Sequence, residues 1–452
     1  MDRRLFLKSA ALAGAGVGLG HLPGVAYSQY FGTAAALPDY KALVCVFLFG
    51  GNDSYNMVVP RSTAEYDVYA RSRQNLAVAR DQLLPITALN PDGAQYGLHP
   101  SMTGVQQLFA QGACAVIANV GPLVQPVTRA AYLNGSVPLP PQLFSHNDQQ
   151  DQWQTLKGRA VVKTGWAGRI ADALQASAGD GKVPINVSLA GTVAQQAGER
   201  TVAYSMGRTG APTLTGLNTA NAVNSGRKSA FESLLDANTA GLHGRAFATV
   251  EKRAISTAVA VNAALAPLGT APAFRTVFPT SGLGAQLQMV ANLIAVRDAL
   301  QVSRQVFFVS TGGFDTHDDQ LDDHPALLGD VSASLQALQA ALVELGVADK
   351  VIAFTQSDFG RTLTSNGDGT DHGWGGHQLV VGGSVLGQRI YGTMPRLEIG
   401  GADDTTGGRI IPTTAVDQYA ATLARWFGVA DAQIDAVAPN ARNFPQKYLG
   451  FV

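Results

Sequence analysis

Six short apolar runs punctuate the chain, at residues 42–49, 113–120, 185–189, 306–309, 351–354 and 379–382. They are short for helices and lack the strict apolar–polar alternation of a strand with one wet face. Runs of this kind read as parallel strands covered on both sides. Between them apolar positions fall at helical spacing, over residues 102–109, 149–156, 166–174, 230–235, 246–264, 287–300, 325–345 and 416–427. Strand–helix alternation predicts an α/β three-layer sandwich with a largely parallel central sheet. Residues 192–225, rich in Gly, Thr and Asn, break the pattern and read as an irregular excursion within one large domain spanning residues 29–452.

The start of the chain follows a different logic. Arg3-Arg4-Leu5-Phe6-Leu7-Lys8 leads into a mild Gly- and Ala-rich apolar stretch over residues 10–20, with small residues near Ala26 and Ser28. A charged beginning, a short apolar centre and small residues at the end make a secretory signal. The arginine pair resembles the twin-arginine class, with Asp2 where Ser or Thr is usual. The expectation is a signal peptide over residues 1–28, the twin-arginine export machinery as partner, and a periplasmic or secreted destination. An ordinary secretory signal or an uncleaved lipid-facing helix is the alternative. A membrane span needs about 20 strongly apolar residues, so no stable span is expected after cleavage.

Composition narrows the classes. Hydrophobic residues make up 46% and charged residues 14%, enough for a substantial core. The net charge of -1 offers no basic footprint for nucleic acid. Cys45 and Cys114 both sit in apolar runs; they read either as a disulfide outside the cytoplasm or as two buried, inert thiols.

Chemistry in open parallel sheets gathers beyond the carboxyl ends of strands. The first run is followed by Gly50-Gly51-Asn52-Asp53-Ser54, the fourth by Gly312-Gly313-Phe314-Asp315-Thr316-His317, and the fifth by Ser357-Asp358-Phe359-Gly360-Arg361-Thr362. Asp371-His372-Gly373-Trp374-Gly375-Gly376-His377 precedes the sixth. Imidazole with carboxylate suits Zn, Mn or Fe(II), and an all-oxygen set would suit Mg or Ca. Asp53, Asp315 and Asp358 converging across the sheet would repel without a cation to offset them. Singly, each is also explained as a turn or cap residue. In Ser145-His146-Asn147-Asp148, Ser145 reads as a helix N-cap with Asp148 as its partner, or as a nucleophile beside a metal. His146 reads as a metal ligand or an acid/base group. Arg361 reads as an anion-binding fork or as the partner of a structural carboxylate.

As an ordered set these motifs, with Tyr96-Gly97-Leu98-His99-Pro100 and Gln149-Gln150-Asp151-Gln152-Trp153, resemble the bacterial domain-of-unknown-function 1501 family over nearly the whole chain. The resemblance implies a fold similar to the alkaline phosphatase and sulfatase superfamily, with one or two divalent metals beside a nucleophile. By that likeness Asp53 matches the ligand after the first strand, Asp315 with His317 the second segment, Asp358 the third, and His377 or His372 the late histidine. Phe359 departs from the pattern, standing where the superfamily carries a ligating histidine, and no Cys-x-Pro-x-Arg sulfatase signature occurs.

These readings converge on a metal-dependent hydrolase of phosphate or sulfate esters outside the cytoplasm. Asp53, Asp315, His317, Asp358, His372 and His377 are the candidate metal ligands, and Ser145, His146 and Arg361 the candidate catalytic groups. The cofactor is a divalent ion, Zn, Mn, Fe, Mg or Ca, and the substrate an anionic ester or a glycan. Two rivals stand beside it: a secreted binding or scaffold protein using the same cleft, and a metal-independent serine hydrolase. Ser145 lies outside a Gly-x-Ser-x-Gly elbow, which counts against the last.

Overall fold

All six apolar runs become strands of one sheet. A computed structural model describes residues 37–452 apart from 38, 180, 218 and 238–240. The expected twin-arginine signal at residues 1–28 lies outside the described residues. In chain order the strands are β1 (Lys41–Leu48), β2 (Val58–Pro60), β3 (Leu84–Ile86), β4 (Tyr96–Leu98), β5 (Cys114–Gly121), β6 (Asn186–Ser188) and β7 (Tyr204–Ser205). There follow β8 (Arg304–Thr311), β9 (Val351–Ser357), β10 (Arg361–Ser365), β11 (Thr370–His372), β12 (Gly376–Val381), β13 (Ile390–Tyr391) and β14 (Thr414–Ala415).

The central sheet runs β13-β5-β12-β9-β1-β8-β6-β7, with β14 also on β5. Every pairing is parallel except the two made by β12, which runs against β9 and β5. The reason is the connection. Only the β10–β11 hairpin separates β9 from β12, and without a crossover helix the chain returns in the opposite sense. The sheet is therefore mixed, though mostly parallel.

Side chains of β1 show why its apolar run is continuous. Ala42, Val44, Val46 and Leu48 enter one core, and Leu43, Cys45 and Phe47 the other. Helices Thr103–Ala110, Gly282–Ala295 and Gln320–Glu344 cover the first face, and Trp166–Ala178 and Val416–Phe427 the second. Three layers result. Helix Gln320–Glu344 is, among the described residues, the one helix long and apolar enough to cross a membrane. Its Leu328, Val331, Leu335 and Leu338 are instead buried in the first core. Residues 192–225 hold the single turn Ala194–Gln196 and the edge strand β7 before helix Ala222–Ala237 begins. Cys45 and Cys114 are free and buried, and the Cys45 thiol donates to Gln356 Oε1 at 3.3 Å.

Register sets the level of the site. Leu48 on β1 lies opposite Thr311 on β8 and Ser357 on β9, so three adjacent strands end together. Gly50 and Gly51 leave β1 with φ of 116° and 88°, conformations that glycine adopts at little cost. A Cβ on Gly50 would stand 2.3 Å from the Asp315 backbone nitrogen, and one on Gly51 would stand 2.5 Å from the Phe359 ring. Both neighbouring loops close onto β1 because these side chains are missing.

Candidate metal centre

Asp315, four residues past β8, is the hub. Its Oδ1 accepts from Arg361 Nη1 at 2.6 Å and lies 3.1 Å from His317 Nε2 and 3.4 Å from His372 Nε2. Its Oδ2 lies 3.3 Å from His146 Nε2. Each residue arrives from a different element. His146 opens helix His146–Thr155, whereas Arg361 and His372 are register partners on the β10–β11 hairpin.

Proton positions follow from the outer partners. His146 Nδ1 lies 2.7 Å from Asp358 Oδ2, an oxygen that already accepts from Gly50 N–H and Gln150, so a ring proton sits on Nδ1. His372 Nδ1 lies 2.7 Å from the Phe144 carbonyl oxygen, which fixes its proton in the same way. In its neutral form each ring thus turns a bare Nε2 toward Asp315. His317 Nε2 is 2.9 Å from His372 Nε2, so His317 supplies the proton of that contact. His317 Nδ1 in turn lies 3.3 Å from Asp371 Oδ1.

The electrostatics follow this wiring. The hydrogen bond to Asp358 raises the His146 pKa against the opposing effect of burial. Burial lowers that of His372, partly offset by the Phe144 carbonyl. For Asp315 burial alone would raise the pKa, yet the Arg361 hydrogen bond and charge, with His146 and His317 nearby, bring it below the usual range.

A strained loop presents the Phe144 carbonyl. Gln142 and Phe144 have φ of 49° and 74°, left-handed conformations costly for such residues. Arg409 packs over the Phe144 ring at 4.8 Å and donates to the His372 carbonyl oxygen, bracing loop and strand together. Phe359 is buried, with its ring 4.8 Å from those of both His146 and His372, and forms an apolar wall. One side of Asp315 remains open, with 44% of its side chain exposed.

His146, Asp315, His317, Asp358, His372 and Arg361 are therefore brought together. Asp358 takes part from behind: its Oδ2 accepts from Gly50 N–H and Gln150 as well as His146, and its Oδ1 is buried without a partner. Asp53 stands three hydrogen bonds away. It forms a fully buried ion pair with Arg73 and accepts from Gln320, whose Oε1 accepts from Thr370, the residue that Arg361 also binds. Asp53 and Asp315 each have an arginine at hand, so protein cations already offset their expected mutual repulsion.

Three further candidate residues offer nothing to the open point of the cluster. His377 does not join the group. Its buried ring accepts the Asn119 N–H on Nδ1 and stands edge-on to Tyr55, with its pKa pushed down to about 3 by burial. Because β12 runs antiparallel, His377 lies near the start of its strand beside Ser54, whose hydroxyl accepts the His377 N–H. The Arg361 side chain is 0% exposed, and its fork is spent on Asp315, Gly50 O and Thr370, which leaves it turned inward rather than toward an external anion. Ser145 is the N-cap of its helix, and its hydroxyl donates to Asp148 Oδ2 at 2.8 Å with no hydrogen bond to the cluster. Gln150, Asp371, Arg73 and the Phe144 carbonyl went unsingled in the sequence. Asp371 and Gln150 lay inside recognised motifs, whereas a backbone carbonyl leaves no sequence signal.

His146, Asp315 and His372 offer one ligand atom each, all within 4.8 Å of one another. Two imidazoles and a carboxylate, each imidazole anchored through Nδ1 to an oxygen, are the donor set and outer shell of first-row transition-metal sites. The class defined is an α/β protein with a candidate metal-binding site beyond its central strands. The chain belongs to the family described as "Protein of unknown function (DUF1501)", whose profile matches residues 40–433. No curated protein matches it. Among solved structures it is similar to Ps i-CgsB in complex with k-i-k-neocarrahexaose, at 9% identity over 90% of this chain and 77% of that one, with a TM-score of 0.34. It is also similar to BT1596, a 2-O GAG sulfatase, at 12% identity over 87% and 71%, with a TM-score of 0.28. Both likenesses are distant.

Proposed function

We propose that the protein is a metal-dependent hydrolase of phosphate or sulfate esters, working outside the cytoplasm, with an alkaline-phosphatase-like fold. One observation carries the reading: two imidazoles, each with its Nδ1 held by an oxygen, converge through Nε2 with a carboxylate on one partly open point, where an ion would displace the His317 contact to His372 Nε2. His146, Asp315 and His372 would hold the ion. His-rich donors favour Zn, Mn or Fe over Mg or Ca. A bound divalent ion supplies charge that polarises an ester oxygen and acidifies water.

The chain's own groups do the rest. Asp358 and the Phe144 carbonyl hold the His146 and His372 rings in the ligating tautomer. Arg361 keeps Asp315 ionised and aimed. Phe359 keeps water from one side. His317 carries a proton on Nε2 at the margin of the cluster, with Asp371 behind it, and serves as the acid that protonates a leaving oxygen. The extracytoplasmic location rests on the Arg3-Arg4 segment. Changing both to Lys should hold the precursor inside the cell.

A secreted binding protein is the second reading, favoured by Ser145 turning its hydroxyl to Asp148 rather than to the cluster. Elemental analysis of purified mature protein followed by a phosphate- and sulfate-ester panel separates the two. Near-stoichiometric metal with turnover supports the hydrolase, metal without turnover supports the binder, and absence of metal after controlled loading defeats the metal-dependent hydrolase.

A further inference from the structure

Arg61 follows strand β2, and its backbone is fixed on both sides. Its N–H donates to Gln95 O at 2.6 Å, and its carbonyl accepts from Arg80 Nε at 2.7 Å. The side chain lies across Gly97 of β4, where a Cβ would stand 2.6 Å from Arg61 Cδ. Glycine there lets the arginine stem rest on bare backbone. Beyond the stem, the guanidinium has no hydrogen bond or ion pair among the described residues. Its Nε is buried, while the two terminal nitrogens keep contact with solvent. Arg61 lines a cleft of about 400 Å³ between the small β2-β4-β3 sheet and residues 390–394, and no residue of the metal cluster lines it. A planar, permanently charged fork on a fixed stem, left without a partner, is prepared for an oxyanion.

We propose that this cleft is a binding site for a small sugar acid, a molecule with one carboxylate and several hydroxyls, whose carboxylate Arg61 grips end-on through its terminal nitrogens. Charge and polarity select the class. Asp92 also lines the cleft, but the Tyr96 hydroxyl and the Ala94 N–H donate to its two oxygens at 2.7 and 2.9 Å, so it leaves Arg61 unpaired. Its negative charge favours a monoanion over a phosphate dianion, and the remaining lone pairs of its oxygens accept hydroxyl protons. Gln95 and Thr87 are exposed on the same cleft and offer further amide and hydroxyl partners. Ile86 and Met394 give the C–H face of a sugar ring an apolar surface. A cleft of this size, with few polar groups beside apolar walls, is of the usual kind for small ligands.

The test is isothermal titration of the purified protein with three probes: glucuronate, glucose and cyclohexanecarboxylate. Glucuronate should bind saturably. Glucose, without the charge, and cyclohexanecarboxylate, without the hydroxyls, should each bind at least about tenfold more weakly. Arg61→Gln should lower glucuronate affinity to that of glucose, with thermal unfolding to verify the fold. Arg61→Lys, which keeps the charge but loses the fork, should fall between the two. A carboxylate also suits an ion held by His146, Asp315 and His372, so each titration is run on metal-free and on Zn(II)-loaded protein, with the same Kd expected. Any of four results would overturn the proposal: no saturable glucuronate binding up to about 10 mM, equal affinity for glucuronate and either other probe, wild-type affinity in Arg61→Gln, or binding that appears only with Zn(II).

Discussion

Asp358→Asn separates a residue that holds the ion from one that holds the residue holding it. Asp358 Oδ2 lies 2.7 Å from His146 Nδ1 and makes that ring a better donor through its charge, while Gly50 N–H and Gln150 fix the carboxylate. Asparagine keeps one acceptor oxygen but loses the charge. Removing an outer-shell carboxylate of this kind typically weakens metal binding about 10–100-fold, or about 1.4–2.7 kcal/mol. Loss of a direct ligand costs far more. The assay is a chelator-competition titration with Zn(II) on purified wild type, Asp358→Asn and His146→Ala, with thermal unfolding to verify each fold. Wild type should bind one equivalent, Asp358→Asn should fall by one to two decades, and His146→Ala should fall further. Unchanged affinity in Asp358→Asn would refute the reasoning. So would a collapse equal to that of His146→Ala, because the ion would then be bound through the unpartnered Asp358 Oδ1.

Other consequences are equally direct. Arg73→Met should destabilise the protein by about 3–5 kcal/mol in urea unfolding by leaving Asp53 charged and buried, and adding Asp53→Leu should restore part of the loss. Gly50→Ala drives a Cβ into the Asp315 backbone at a positive φ, so metal loading should fall together with stability, by at least about 1–3 kcal/mol. Asp417 is buried and its pKa is pushed up to about 7, chiefly by desolvation, against hydrogen bonds from Asn440. The folded state therefore holds a proton that the unfolded chain has released, so this group reduces stability as pH rises from about 4 to about 7. Subtracting the wild-type from the Asp417→Asn thermal-stability curve should give a difference that grows across that window, and a flat difference would count against it.

The sheet was legible because its strands are dry on both faces, which leaves uninterrupted apolar runs in the sequence. Its mixed sense was less so: the direction of β12 depends on a connection too short for a helix, and residues 358–375 do not display that as a pattern. Helix Thr63–Arg73 escaped the apolar-spacing argument because it buries few apolar side chains and brings Arg73 to Asp53. Within the site, Asp315, His146, His317 and His372 were visible as acidic and imidazole residues in glycine-rich surroundings. The inward turn of Arg361 was not, since whether a guanidinium meets a ligand or its own chain depends on contacts across distant loops. His377 sat in a convincing motif yet points elsewhere, because a residue within a strand faces whichever side its register dictates.

That hairpin register has a consequence for chain length. Arg361 and His372 sit opposite each other on β10 and β11, joined by a tight turn near residues 366–369. One residue added on the turn side of His372, if the ladder slips to absorb it, exchanges the two faces of β11 and rotates the imidazole away from Asp315; a two-residue insertion restores its side. Parity rather than length is what the loop must keep.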